Sequence, residues 1–299
     1  MDRSERAPWG DFPAVIRNGE LNSVGKDIDY ASAKGGDPAA AVRLVNRLVT
    51  AELIAQLREA IGDRQPKVVP VIAPEASGIN MIPLAYASAI ASHLNLEVEV
   101  GIGQKHRVHR TNSGSDYRLV ANPVFKGDVT AGQDYLVVDD TLTMGGTVAA
   151  LRGYLENRGG NVMLISVMTA HPGALELPVK QKMLAAIDAR HGSAMNQMWQ
   201  ERFGYGIDML TQGEAGHLRH AESVDAMRVR LDDAFRAYSE RLHAPRVSEA
   251  PGAAEAAARR GSLKSVFDQL HDRVAGLSAP GEGQDPSAGP ANQNRGPRP

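Results

Sequence analysis

The chain has no cysteine in its 299 residues. That excludes disulfide cross-links and thiolate chemistry, and it makes a reducing compartment, the cytoplasm, the expected location. No apolar run approaches the roughly 20 residues of a membrane-spanning helix. The opening Met1-Asp2-Arg3-Ser4-Glu5-Arg6 lacks the apolar segment of a signal peptide, so no membrane association is expected. Neither sign of charge dominates: 33 Lys and Arg stand against 35 Asp and Glu. A net charge of −2 gives no electrostatic case for a nucleic-acid partner. There is no internal repeat. What is present, 42% hydrophobic residues, suffices for one substantial α/β core with an added helical unit.

One stretch carries the chemistry. The apolar run Tyr135-Leu136-Val137-Val138 ends in two acids, Asp139-Asp140. A hydroxyl- and glycine-bearing loop follows, Thr141-Leu142-Thr143-Met144-Gly145-Gly146-Thr147, and then Val148-Ala149-Ala150-Leu151, which reads as the first turn of a helix. Strand, loop and helix make half of a βαβ unit, and ligands in such sheets sit beyond the carboxyl ends of the strands. The glycines permit close approach of a bulky anion, and the helix N-terminus offers free N–H groups and a positive dipole end. Carboxylates repel a phosphate but accept hydrogen bonds from sugar hydroxyls, and they also suit hydrated Mg²⁺. A sugar phosphate therefore accounts for the whole stretch, with acids on the hydroxyls and loop on the phosphate. An ordinary turn bearing two exposed acids is the plain alternative. A receiver-type acid pair is another, although it has no need of Gly-Gly-Thr.

Val137-Val138-Asp139-Asp140 through Thr143-x-Gly145-Gly146-Thr147 resembles the phosphoribosyl pyrophosphate (PRPP) binding motif of type I phosphoribosyltransferases. The resemblance implies that Asp139 and Asp140 hold the ribose 2′- and 3′-hydroxyls and that Thr141, Thr143, Met144, Gly145, Gly146 and Thr147 surround the 5′-phosphate. It implies Mg²⁺ as cofactor, contacted by Asp139 or Asp140 directly or through water. Thr143 stands where 6-oxopurine transferases have an acid against the purine ring, which argues against hypoxanthine or guanine as acceptor.

Three further regions follow from the chain in order. Residues up to Asp27 read as irregular. Asp37-Pro38 opens a helix, with Asp as N-cap and Pro at the first position, and helical spacing continues to about Ile61. Residues 67–73 read as a buried strand, followed by a loop and a helix from Ile79 to His93. By position this loop matches the family's pyrophosphate-binding loop, with Ala76, Ser77 and Gly78 as candidates; a plain connection is the other reading. Leu96 to Ile102 alternates as a second strand. The basic, glycine-bearing segment after it should be mobile. In the family a flexible loop there closes over PRPP, which makes Lys105, Arg107, His109 and Arg110 candidates to face the diphosphate. A solvated charged loop is the alternative. Arg118 to Phe125 reads as a returning hairpin arm.

A helix from Thr147 to about Arg158 and a buried strand from Val162 to Met168 complete the pattern β-α-β-loop-β-α-β. This predicts an α/β fold, a Rossmann-like, mostly parallel sheet with helices on both faces. The expected units are an N-terminal segment with a flanking helix (1–62), a phosphoribosyltransferase core (63–170), a helical appendage (171–243) and a Pro- and Gly-rich tail (244–299) read as disorder or linker, with a possible helix at 262–277. In the appendage, Trp199, Phe203 and Tyr205 would either stack on an acceptor base or pack a core. Thr211-Gln212-Gly213-Glu214 is a capping box. Met227, Leu231, Phe235, Tyr238 and Leu242 form the inward stripe of a last helix. The segment from Phe203 to Arg230 is similar to phosphoribosyltransferase-domain proteins of bacterial mobile elements.

The expected reaction is displacement of pyrophosphate from C1 of PRPP by a nitrogenous base, catalysed by Asp139, Asp140 and the basic loop with Lys105, Arg107 and His109. The competing expectation is a PRPP- or nucleotide-sensing protein that keeps the site without catalysis; a metal-dependent nucleotide hydrolase is more remote. A homodimer is compatible with the fold.

Overall fold

A computed structural model describes residues 4–73, 79–106, 108 and 113–243. The candidates Ala76, Ser77, Gly78, Arg107, His109 and Arg110, the tail from 244 and the helix at 262–277 lie outside the described residues.

The chain opens with β1 (Ile16–Glu20), where the sequence predicted irregular structure. Ile-Arg-Asn-Gly-Glu has no local strand pattern; its pairing comes from a distant partner, β6, defined below. Next come α1 (Tyr30–Lys34), α2 (Pro38–Leu48) and α3 (Ala51–Ile61). Asp37 caps α2 as expected, accepting the amides of Ala39 and Ala40. The single helix expected from Asp37 to Ile61 is broken at Val49-Thr50. Asn18 of β1 explains the break: its amide donates to Leu48 O (2.7 Å) and its Oδ1 accepts the Thr50 amide (3.0 Å). These bonds satisfy two backbone groups that an unbroken helix would have paired internally.

β2 (Lys67–Pro70) leads to α4 (Ile82–Leu94), a helix apolar all round and almost wholly buried. The expected strand at Leu96–Ile102 is reduced to one parallel bridge, Val98 to Val68 of β2. Then β3 (Gly103–Gln104), α5 (Ser115–Val120) and β4 (Phe125–Lys126) follow, with β3 and β4 antiparallel. The hairpin arm expected from Arg118 is thus helical over its first part and pairs only at its end.

β5 (Asp134–Leu142), α6 (Gly146–Glu156) and β6 (Asn161–Ala170) form the centre. The four-stranded sheet has the order β1-β6-β5-β2 and every pairing is parallel. The β5 side chains alternate between two cores. Leu136 and Val138 join the core built from α2, α3 and α4, whereas Tyr135 and Val137 join the one built on α6; Leu142, at the end of the strand, departs from the alternation and also packs on the α6 side. Helices therefore cover both faces, which is why β5 reads as a continuous apolar run. The expected α/β sheet is borne out.

In the region expected to be an appendage, α7 (Gln181–His191), α8 (Ala194–Phe203), α9 (Gln212–Arg219) and α10 (Val224–His243) share a third core with Leu119 and Val120 of α5 that contains the fully buried Trp199. Trp199, Phe203 and Tyr205 pack on one another, with the first two ring centroids 4.2 Å apart. Trp199 is fully buried, Phe203 and Tyr205 are half-buried against it, and none of the three lines the cavity described below, which favours the packing alternative over base stacking. Phe235, expected inward, is 40% exposed beneath the Arg202 guanidinium. No helix among the described residues is long and apolar enough to cross a membrane.

Candidate functional site

A cavity of about 360 Å³ opens at the carboxyl end of β5. Asp139, Asp140, Thr141, Thr143, Gly145, Gly146 and Thr147 all line it, so the structure brings the acid pair and the loop after it to one cavity. Met144 is the exception. Its side chain packs against the appendage core and its carbonyl accepts the Thr211 hydroxyl (2.5 Å). Lys105 also stays outside the lining; it is exposed, with its amide on Val124 O (2.7 Å).

The turn has the form an anion site needs. Gly145 occupies the left-handed region at φ +82° and is the N-cap of α6. A Cβ there would stand 2.5 Å from Leu177 Cδ2, so a side chain would displace Leu177 as well as strain the torsion. Among the described residues, neither the Gly145 nor the Gly146 amide donates a hydrogen bond. Their N–H groups lie at the positive end of a buried 11-residue helix.

The acids are buried, at 8% and 6% exposure. Adjacent strand residues face opposite sides of a sheet, so the two carboxylates have different neighbours. Asp140 Oδ2 accepts from Asn80 Nδ2 (2.8 Å) and lies 3.4 Å from Lys34 Nζ. Asp139 Oδ1 accepts the amide of Asp140 (2.8 Å). Burial, reinforced by the Asp140 charge, pushes the Asp139 carboxyl well above the ordinary carboxylate range. Burial acts to lower the Lys34 pKa, but Asp140 and the Tyr30 hydroxyl outweigh it and the ammonium is held above its usual value.

Sequence reasoning missed Lys34, Asn80 and Arg118, all of which line the cavity. Lys34 comes from α1 and Asn80 from the turn before α4; Arg118 comes from α5 and donates to Thr143 Oγ1 (3.2 Å). None sits in a local motif. Their roles come from long-range packing, and the sequence carries no signal that would have found them.

No family model matches the chain. Over 229 residues it is 60% identical to Protein TraN of Escherichia coli, covering 77% of this chain and 51% of that protein. Over 151 residues it is 36% identical to an uncharacterised protein of Haemophilus influenzae, covering 50% of this chain and 34% of that one. Over 107 residues it is 32% identical to HGPRTase-like protein 1 of Haloarcula marismortui, covering 34% of this chain and 54% of that protein. The chain thus spans about a third to about half of these curated relatives. A crystal structure of an adenine phosphoribosyltransferase overlaps 46% of the chain and 74% of its own, at 16% identity and a TM-score of 0.30. That overlap is too low to bear weight; the fold class rests on the chain's own strand order.

Proposed function

We propose that this chain binds PRPP and transfers its ribose 5-phosphate to a nitrogenous acceptor with release of pyrophosphate. The observation that carries the proposal is the junction of two buried carboxylates and a left-handed glycine turn in one cavity. The name of the Haloarcula relative points the same way.

Asp139 and Asp140 accept the ribose hydroxyls. The Gly145 to Thr147 amides and the hydroxyls of Thr143 and Thr147 hold the 5′-phosphate. Clamping both ends of the sugar fixes C1 for in-line attack. As the C1–O bond breaks, the electron pair leaves with the diphosphate and positive charge grows on the ribose; the nearby carboxylates stabilise it. Lys34, 3.4 Å from Asp140, adds a cation to the same cavity.

The donor set fits Mg²⁺ in the way this ion is usually held, by one or two carboxylates plus substrate phosphates. Among the described residues no cluster of three or more His, Asp or Glu would hold a metal by itself. Asp139 and Asp140 would hold Mg²⁺ directly or through water, and the ion would neutralise charge on the diphosphate.

The second reading, a PRPP or nucleotide sensor without turnover, draws support from Lys105 lying outside the cavity lining. The deciding experiment is pyrophosphate release from PRPP and Mg²⁺ across a panel of nitrogenous bases. Release with one base class supports the transferase. Saturable PRPP binding without release supports the sensor.

A further inference from the structure

The phosphate loop is held from behind by residues remote in sequence. Thr211 Oγ1 donates to Met144 O (2.5 Å), and Arg6 Nη1 donates to Gly146 O (2.9 Å). The two anchors are joined: Arg6 Nη2 meets Glu214 Oε1 at 2.7 Å, and the other Glu214 oxygen accepts the Thr211 amide at 3.0 Å. Both side chains of the Arg6–Glu214 pair are 1% exposed, and Thr211 is fully buried.

The planarity of the peptide unit gives these bonds a consequence. In a trans peptide the C=O of one residue and the N–H of the next point in opposite directions. Pinning the Met144 carbonyl therefore aims the Gly145 N–H away from Thr211, and pinning the Gly146 carbonyl aims the Thr147 N–H away from Arg6. Gly145 and Thr147 both line the cavity. Close packing leaves the loop little room to rotate: a Cβ on Gly213 of α9 would stand 3.2 Å from Met144 Cα and Met144 O. Two turns along α6, a Cβ on Gly153 would stand 2.6 Å from Arg6 Cα.

We propose that Thr211, Arg6 and Glu214 are positioning residues that aim the anion-binding amides, so the appendage and the N-terminal segment set the site's affinity for the phosphate group. The inference rests on the sugar-phosphate reading above. The network touches the loop from outside the cavity, so it controls recognition of the phosphate and leaves recognition of the sugar hydroxyls to Asp139 and Asp140.

The test is calorimetric titration of the full chain with ribose 5-phosphate and, separately, with ribose. Thr211→Val removes the donor to Met144, Thr211→Ser retains it, and Arg6→Lys cannot bridge Gly146 and Glu214 together. The expected result is ribose 5-phosphate binding weakened about tenfold in Thr211→Val and in Arg6→Lys, the equivalent of one charge-assisted or well-aligned hydrogen bond. Ribose binding stays unchanged, and Thr211→Ser restores wild-type affinity. Thermal melts identify a variant that fails to fold, and the other then decides. A folded Thr211→Val or Arg6→Lys with wild-type affinity for ribose 5-phosphate overturns the inference alone. A wild-type chain that does not prefer ribose 5-phosphate to ribose overturns the sugar-phosphate reading and this inference with it.

Discussion

Asp139→Asn should make the protein more stable at neutral pH while removing its ligand binding. Asp139 is 8% exposed beside a second carboxylate, and burial with that neighbour pushes its carboxyl well above the ordinary range. Asparagine keeps the oxygen that accepts the Asp140 amide at 2.8 Å and removes the charge. The gain should be about 0.5–2 kcal/mol, the usual size of a single stabilising change. In a domain of this size that raises Tm by about 2–4 °C per kcal/mol. The pH dependence has a definite sign. Below the unfolded pKa, near 4, Asp139 is protonated in both states and costs nothing. As pH rises, the unfolded carboxyl ionises first and wild-type stability falls until the raised folded pKa is passed. The advantage of Asp139→Asn should therefore be absent below about pH 4 and grow upward from there. Denaturant or thermal unfolding of both proteins from pH 3 to pH 8 measures it. A variant less stable than wild type at pH 7, or a difference independent of pH, refutes the reasoning.

Lys34→Met removes the cation that holds the Asp139 carboxyl down, so the pH at which wild-type stability levels off should move upward in the same unfolding series. Gly145→Ala forces a side chain into φ +82° and onto Leu177; it should cost about 1–3 kcal/mol in denaturant melts and abolish ribose 5-phosphate binding. Glu214→Gln leaves the buried Arg6 guanidinium without its counter-charge and should cost about 3–5 kcal/mol. Gly153→Ala drives a methyl into the backbone of Glu5 and Arg6; displacement of that segment should be visible as faster amide exchange in residues 4–9.

The parts of the site that sequence reveals are those whose chemistry is local. Tyr135 to Thr147 announces itself because one run of residues supplies strand, acids, turn and helix start. The Asp37 and Thr211 caps are legible for the same reason, since each bonds to amides two or three residues away. What was not legible depends on distant partners. β1 has no alternating pattern and exists because β6 pairs with it. The break between α2 and α3 is set by Asn18 from another element. Lys34 and Asn80 reach Asp140 across 106 and 60 residues of sequence. Arg6, in an N-terminal stretch that read as irregular, is buried, donates to Gly146 O and pairs with Glu214. Phe235 shows the converse, a residue placed inward by helical spacing but left 40% exposed.

The most direct test of the central claim is calorimetric titration of the full chain with PRPP and Mg²⁺, repeated with Asp139→Asn and Asp140→Asn. Saturable one-site binding by the wild type, lost in both folded variants, is the expected result. No heat of binding from the wild type, or equal affinity in the variants, would contradict a sugar phosphate seated between the acids and the glycine turn.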